Sequence, residues 1–445
     1  MTPRIGRKFA VAVAVLLVAV ALFHMHRRAR GVAAGGGDHI AAWKGQFARP
    51  AFVPFPADNV PTPARIALGQ RLFTDTRLSI DTTVSCATCH DPALAFTDGA
   101  ALGRGVARQP LARHTPTLWN SAWAHAFFWD GRAGTLEEQA RIPIEHPKEM
   151  GQSLEAGAAR LGQGTDYARA FASAFPEDPR ISATNILKAL ASFERTLISP
   201  PTRFDRWIAG DAEALGPSEI RGFELFTGKA RCVSCHSGWA FTDNGFHDIG
   251  LPGDDLGRGP VIGLPAVDRA FKTPGLRELA WTAPYMHDGS LATLDDVVRH
   301  YERGGVDRKT RSPDMPRVQQ LSDAARDDLI AFLESLSSER PPRPATDMQF
   351  TGIAAPTAPA VATSRMSQKD KTFQPARVTL RTGDTLTILN DDTRPHNVRV
   401  FDPRMKFNSG LQEPGERVTV PFAQSGMFDV FCGIHPSMRA TIEVK

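Results

Sequence analysis

The residues most able to do chemistry come in two near-repeats. Val84 to Gly99 reads VSCATCHDPALAFTDG, and Cys232 to Gly245 reads CVSCHSGWAFTDNG. Each holds CxxCH followed by Ala-Phe-Thr-Asp, with Cys86, Cys89 and His90 in the first and Cys232, Cys235 and His236 in the second. Two thiols one short turn apart can form thioethers to the two vinyl groups of a haem, while the adjacent imidazole offers an axial nitrogen to its iron. Zinc ribbons use the same residue types, but these Cys pairs are separated by far more chain than a ribbon's half-sites. The sequence therefore predicts two covalently attached c-type haems. Of five cysteines, four are then used, no disulfide is required, and Cys432 needs another task.

Cys432 stands in FCGIHPSM, where His435 and Met438 follow it with CxxHxxM spacing, and His396 opens a loop upstream. One thiolate, two imidazoles and a weak thioether are what a type-1 copper site asks for, since soft donors accommodate both copper oxidation states. His396, Cys432, His435 and Met438 are thus the expected copper ligands. Residues from about 366 to 445 resemble the cupredoxins, with a compact amicyanin-like ligand loop.

The elements around these sites differ in period. Helix-like patterns precede both haem motifs and end in Leu72-Phe73-Thr74 and Leu225-Phe226-Thr227, which indicates two tandem, mainly α-helical haem domains. Between them Ile186, Leu190, Phe193 and Leu197 share one helical face and read as core. A further helix, capped by Ser322 or Asp323, closes the second haem domain near residue 340. A Pro-, Ala- and Thr-rich stretch over 341–365 reads as a linker. Beyond it DTLTILN, ERVTVPF, MFDVF and ATIEV alternate apolar and polar residues between turns at Thr382-Gly383-Asp384 and Pro414-Gly415-Glu416, the pattern of a small all-β sandwich. The expected organisation is a leader over 1–35, haem domains over 36–205 and 206–340, the linker, and a cupredoxin domain over 366–445.

The 445 residues suffice for several domains. The net charge is +4, and no Lys/Arg block interrupts the folded-looking segments, which argues against nucleic acid as a partner. Arg4, Arg7 and Lys8 precede an apolar run from Phe9 to Phe23, so the N-terminus reads as an export signal or a retained membrane anchor. Cleavage after Ala34 is one outcome; Arg27, Arg28 and Arg30, lying between the run and that site, make a retained anchor an equal alternative. Either implies a periplasmic location, where haem is attached covalently.

FFWDGRAGTLEEQARIPIEHPKEMG, FERTL, FTDNGFHDIGL and FKTPGLRELAWTAPYMHDGSLATLDDVVRHYERGG are similar to segments of the bacterial di-haem cytochrome c peroxidases and the related MauG group, over about residues 45 to 340. The resemblance implies that His90 is the proximal ligand of a peroxidatic haem and His236 that of an electron-transfer haem. It assigns Glu149 as distal carboxylate, Gln139 as distal amide and Trp129 as the tryptophan between the haems. A partly buried carboxylate is chemically suited to move a proton from one peroxide oxygen to the other.

Three departures qualify the resemblance. Val106 stands where peroxidases that need reductive activation carry a histidine ligand, which implies an open first haem. Tyr301 replaces the distal methionine of the second haem, as in the MauG group, and a phenolate donor stabilises ferric iron. Where the family's inter-haem calcium uses an Asn side chain this chain has His114, so a calcium held by Thr282 and Pro284 carbonyls loses a hard donor. The expected function is peroxide reduction at the first haem, with electrons arriving through the second haem from a small redox protein or from the fused copper domain. About 25 linker residues reach at most about 80 Å, enough to let that domain dock. MauG-like oxidation of a protein side chain or small substrate is the alternative. Against it, Ala230 replaces a surface Trp that MauG uses toward its protein partner. A non-enzymatic electron carrier is a third reading, and the resemblance leaves a homodimer open.

Overall fold

The internal repeat begins with a pair of helices that need glycine where they cross. Thr62 caps the helix Pro63–Phe73, its side chain accepting from the Arg65 amide, with Pro63 in the first turn. That helix lies against Ala183–Glu194, and a Cβ at Gly69 would sit 2.0 Å from the Ala189 carbonyl oxygen. In the second half Pro217–Thr227 packs on Asp323–Glu334, and a Cβ at Gly222 would meet the Asp328 carbonyl oxygen at 2.0 Å. Both haem motifs are therefore launched from helices held at backbone contact distance. The computed structural model describes residues 40, 43–313, 315, 320–339, 349–352, 361–402 and 404–445. The leader expected over 1–35 lies outside them. Among the described residues no helix is long and apolar enough to cross a membrane.

Residues up to Ala48 form a unit of their own, described by the short turn Gly45–Phe47, where the Trp43 and Phe47 rings are 6.3 Å apart. From Arg49 onward the chain is one unit. Its first helical core gathers Leu72, Phe96, Trp119, Tyr167, Phe171 and Leu190. The expected face of the Ala183–Glu194 helix is here, with Ile186, Leu190 and Phe193 buried, although Leu197 lies just beyond the helix. The second core is a ring cluster in which Phe332 approaches Phe226 and Phe223 at 5.1 and 5.4 Å. A fully buried side chain of this size contributes about 1.5–3 kcal/mol, so these clusters fix the walls of the sites between them.

The strands are β1 (Phe52–Phe55), β2 (Phe246–His247), β3 (Phe271–Lys272), β4 (Gln349–Gly352), β5 (Val361–Ala362), β6 (Arg365–Lys369), β7 (Thr372–Gln374), β8 (Arg377–Leu380), β9 (Thr385–Asn390), β10 (Arg399–Asp402), β11 (Met405–Asn408), β12 (Arg417–Pro421), β13 (Gly426–Phe431) and β14 (Arg439–Val444). A six-stranded sheet in the order β11-β10-β13-β14-β8-β5 and a four-stranded sheet in the order β12-β9-β6-β7 make the C-terminal all-β domain. Val378, Ile388, Val420, Phe428 and Ile442 fill its core. The four strands anticipated from alternation are β9, β12, β13 and β14. Two strands fall inside the stretch read as a linker: β5 pairs with β8, and β4 pairs in parallel with β1 near the start of the haem region. Their short sequences, QFTG and VA, are too brief to carry a period, so only the pairing reveals them.

The β domain is packed against the haem region. Ala126, Phe246 and Ile262 join one apolar cluster with Cys432, Ile434 and Met438. The Phe246 amide donates to the Ile434 carbonyl at 3.1 Å. Arg258, buried, donates to the carbonyls of Gly433, Asp130 and Gly131 at 3.0, 3.0 and 2.7 Å, and its guanidinium lies 4.2 Å from the Phe246 ring centre. One side chain thus joins the copper-ligand loop to the segment that follows Trp129.

Candidate active site and metal centre

In the first motif Cys86–Cys89 forms a short helix capped by Ser85, and in the second Cys232–Ser234 is a 3-10 turn. The Ala-Phe-Thr-Asp that follows each explains its own repetition. Phe96 and Phe241 adopt left-handed backbone conformations, φ 59° and 56°, and their carbonyls accept from His90 Nδ1 at 2.9 Å and His236 Nδ1 at 3.0 Å. Both rings of Phe96 and Phe241 are buried, which anchors the turn. With Nδ1–H bound to a carbonyl, each imidazole keeps its Nε2 lone pair for a metal. Burial holds both histidines below their ordinary pKa, so that lone pair is free at neutral pH.

Both motifs open on one cavity of about 1450 Å³, above the 300–1,000 Å³ of ordinary ligand sites. Cys86, Cys89 and His90 lie on its wall at one end, and Cys232, Cys235 and His236 at the other. The residues fit the group that the motifs imply: paired sulfurs, an oriented imidazole and a large apolar-walled space at each end. None of the four cysteines is in a disulfide.

The distal residues share that wall. Thr135 caps the helix Leu136–Glu145 and places Gln139 on the cavity. Immediately after it the chain turns, with the Glu149 amide donating to the His146 carbonyl at 3.0 Å. Gly105 lets the segment leading into Val106 close on this turn, since a Cβ there would be 2.0 Å from the Lys148 carbonyl oxygen, and the Val106 amide bonds the Glu149 carbonyl at 2.8 Å. Val106, itself buried, holds the backbone of Glu149. Burial raises the Glu149 carboxyl above its usual value, partly offset by His146 and Arg132. Its Oε1 is 3.6 Å from His146 Nδ1.

Trp129 also lines the cavity. Its Nε1 donates to the His114 carbonyl at 2.9 Å, and its own carbonyl accepts from the Lys272 amide at 2.8 Å, so it stands where the two haem domains meet. Tyr301 comes from the helix Leu294–Arg303 and lines the second end of the cavity. Burial, with the Cys235 and Cys232 sulfurs beside it, pushes its hydroxyl well up. Ala230 is fully buried beneath Cys232. Thr282, Pro284 and His114 are all on the cavity wall, and His114 Nδ1 is bonded to the Ala100 carbonyl at 2.8 Å.

At the end of the β domain, His396 Nδ1 and His435 Nδ1 are 3.1 Å apart, and Cys432 Sγ lies 3.9 and 3.7 Å from them. That triangle has the size a first-row metal needs with bonds of about 2.0–2.3 Å. Met438 is buried and tied to the same loop, its amide donating to the His435 carbonyl at 2.9 Å and its carbonyl accepting from the Cys432 amide at 3.1 Å. Asp392 Oδ2 holds His396 Nε2 at 3.1 Å, and Asn397 Oδ1 accepts from the Gly433 amide at 3.3 Å. Burial, then the neighbouring His396, keeps His435 well below its ordinary pKa and therefore neutral. The donor set fits copper.

The sequence reading had no place for Trp123 and Trp239, which meet edge to face at 4.7 Å on the cavity wall, or for His247, Asp243, Lys371 and Arg258 at the junction with the β domain. Only Trp239 and Asp243, inside the repeated motif, carried a signal.

Comparison with known proteins agrees with this anatomy. Residues 63–213 match the di-haem cytochrome c peroxidase family model, 220–337 match cytochrome c, and 348–444 match the cupredoxin-like domain. The methylamine utilization protein MauG of Methylorubrum extorquens is 49% identical over 303 residues, covering 67% of this chain and 86% of that protein. The cytochrome-c peroxidase IdrP1 of Denitromonas iodatirespirans is 37% identical over 324 residues, 65% of this chain and 85% of that one. The crystal structure of a MauG-like protein associated with microbial copper homeostasis superposes with a TM-score of 0.61 at 34% identity, covering 66% of this chain and 94% of its own. With haem-motif geometry, family models and full-length relatives in agreement, the chain belongs to the di-haem cytochrome c peroxidase and MauG family of oxidoreductases, extended by a C-terminal cupredoxin-like domain.

Proposed function

We propose that this chain is an exported, periplasmic peroxidase, free or anchored by its N-terminus, that reduces hydrogen peroxide to water at the His90 end of the cavity. Electrons enter from the cupredoxin domain through the His236 end. When bound, haem c at each motif and copper among His396, Cys432, His435 and Met438 supply the redox centres; two haems and one copper per chain are expected. Each turnover takes two electrons and two protons per peroxide and releases two waters.

The observation that carries the reading is Glu149, a partly buried carboxyl with raised proton affinity on the wall it shares with His90. Glu149 can take the proton from the inner peroxide oxygen and return it to the outer one, which turns a poor leaving group into water. Gln139 beside it offers amide donors that orient the peroxide, and Val106 provides no side-chain donor that would compete at that end. Trp129 spans the domain junction and suits electron passage between the two ends. Glu149→Gln should slow peroxide turnover by about 10² or more, the usual contribution of a positioned acid–base group, with haem content unchanged. Unaltered kinetics would remove Glu149 from the mechanism.

Tyr301 favours a second reading, MauG-like oxidation of a substrate, because a phenol at the second end would stabilise oxidised iron rather than accept electrons easily. The docked copper-ligand loop favours the first. A carrier without catalysis would leave Glu149 without a task.

A further inference from the structure

The copper-ligand loop is closed off by the haem region, and one imidazole stands at the closure. His435 is 3% exposed, and its ring centre is 6.4 Å from that of His247, which is 5% exposed. His247 belongs to β2, whose other residue, Phe246, donates its amide to Ile434 in the copper loop. On its far side His247 Nε2 meets Asp243 Oδ2 at 3.0 Å, and ligand atoms of His247, Asp243 and Cys235 lie within 4.8 Å of one another. Cys235 Sγ is a haem-attachment sulfur of the second motif, and the Asp243 amide donates to the Cys235 carbonyl at 2.7 Å. His247 Nδ1 is fixed by Ser312 Oγ at 3.1 Å.

Cys235, Asp243 and His247 have spacing that could suit a metal, but their partners argue otherwise. Cys235 is committed to haem by its motif, and the Lys371 ammonium of the β domain already sits on Asp243 Oδ2 at 2.8 Å. That ion pair crosses the junction, with Asp243 6% and Lys371 20% exposed by side chain. Burial alone would raise Asp243, yet His247 and Lys371 hold it well below its usual range, so the clamp is charged at neutral pH. Both the ring path and the backbone path from the copper loop therefore enter the haem region through Phe246-His247.

We propose that His247 is the relay between the copper ligand His435 and the second haem, held in line by the Lys371–Asp243 clamp, so that the fused domain is a fixed electron partner. The inference rests on the proposed copper-to-haem electron flow. One electron leaves a cuprous centre, which becomes cupric, and arrives on ferric haem, which becomes ferrous; no bond forms or breaks, and His247 keeps its hydrogen bonds to Asp243 and Ser312. Tunnelling weakens steeply with every through-space gap, so losing the ring at position 247 widens the gap on the ring path and leaves only the backbone path through Phe246.

The test uses the full chain, fully loaded and oxidised, with no peroxide, so that its failure is distinct from failure of the peroxidase reading. A flash-generated flavin semiquinone injects one electron at haem, and its equilibration with copper is read as decay of ferrous haem absorption together with bleaching of the cupric–thiolate band. By microscopic reversibility the same relay serves both directions. The parent should equilibrate at a rate independent of protein concentration. His247→Leu should slow it several-fold or more, while resting spectra and potentials of both centres stay unchanged. A rate in His247→Leu equal to the parent's, or a parent rate that rises with protein concentration, overturns the proposal. Should Leu at this position disturb either resting spectrum, Lys371→Met decides instead, with slower equilibration expected and an unchanged rate refuting the fixed route.

Discussion

Arg258→Met removes a cation from the point where three parts of the chain meet. Its guanidinium gives one bond to the Gly433 carbonyl in the copper loop and two to the Asp130 and Gly131 carbonyls behind Trp129. Bonds of this kind from a charged donor are worth about 1.5–3 kcal/mol each, and the face of Phe246 adds on the order of 1–2 kcal/mol. Against this stands the cost of burial, which lowers Arg258 to about 10, with Arg399 nearby adding to it. Met fills the stem's volume but leaves three carbonyls unanswered at about 1–3 kcal/mol each, so once the burial cost of the cation is relieved the net loss is about 3–5 kcal/mol. For a cooperative unit that loss lowers the melting midpoint by on the order of 10 °C. Heating should be followed separately through haem absorption and through the cupric–thiolate band, because a chain with several cores need not melt as one. The copper band should be lost first and at a lower temperature than in the parent. Identical midpoints for both signals in Arg258→Met and the parent would refute the view that these bonds hold the junction.

Cys432→Ser should abolish intense visible copper absorption and leave both haem spectra unchanged, since the charge transfer needs that sulfur; a copper-loaded parent without such a band contradicts the type-1 assignment. Tyr301→Met should raise the potential of the second haem and ease its reduction, as read by redox titration, whereas an unchanged potential and unchanged low-temperature ferric spectrum make Tyr301 a packing residue. Glu194, buried with Oε2 lacking a partner, is pushed by burial from 4.5 to about 8. Between those values the folded chain holds a proton that the unfolded chain has released, so stability falls as pH rises through the window, by up to about 1.4 kcal/mol per unit. Glu194→Gln should flatten that slope in denaturation measured at about pH 5 and about pH 7.5.

The sites were more legible than their arrangement. CxxCH and CxxHxxM are local patterns in which a few bonds fix the spacing, so Cys86, Cys232 and Cys432 announced their chemistry directly. The repeated Ala-Phe-Thr-Asp was visible as a pattern, yet its reason, a left-handed Phe carbonyl aimed at His Nδ1, needed the backbone of Phe96 and Phe241. Strands such as β9 and β14 alternate cleanly between buried and partly buried positions, while β7 has one buried residue in three and β5 has only two residues, too little for a period to register. Docking was the least legible feature. Asp243, His247, Arg258 and Lys371 each pass for an ordinary polar residue, and they become a junction only because segments more than 100 residues apart converge, as in the Lys371–Asp243 pair. The Pro-, Ala- and Thr-rich composition of residues 341–365, read as a linker, permits that convergence without specifying it.

The central claim is that peroxide withdraws electrons from all three centres through one chain. Anaerobic titration of the fully reduced, fully loaded protein with hydrogen peroxide tests it most directly, with both haems and the copper followed by their own absorption. The copper centre should be oxidised along with the haems, one peroxide being consumed for every two electrons withdrawn, in a process whose rate does not depend on protein concentration. Haem oxidation that leaves the copper cuprous, or consumption of peroxide without withdrawal of electrons from either, would contradict it.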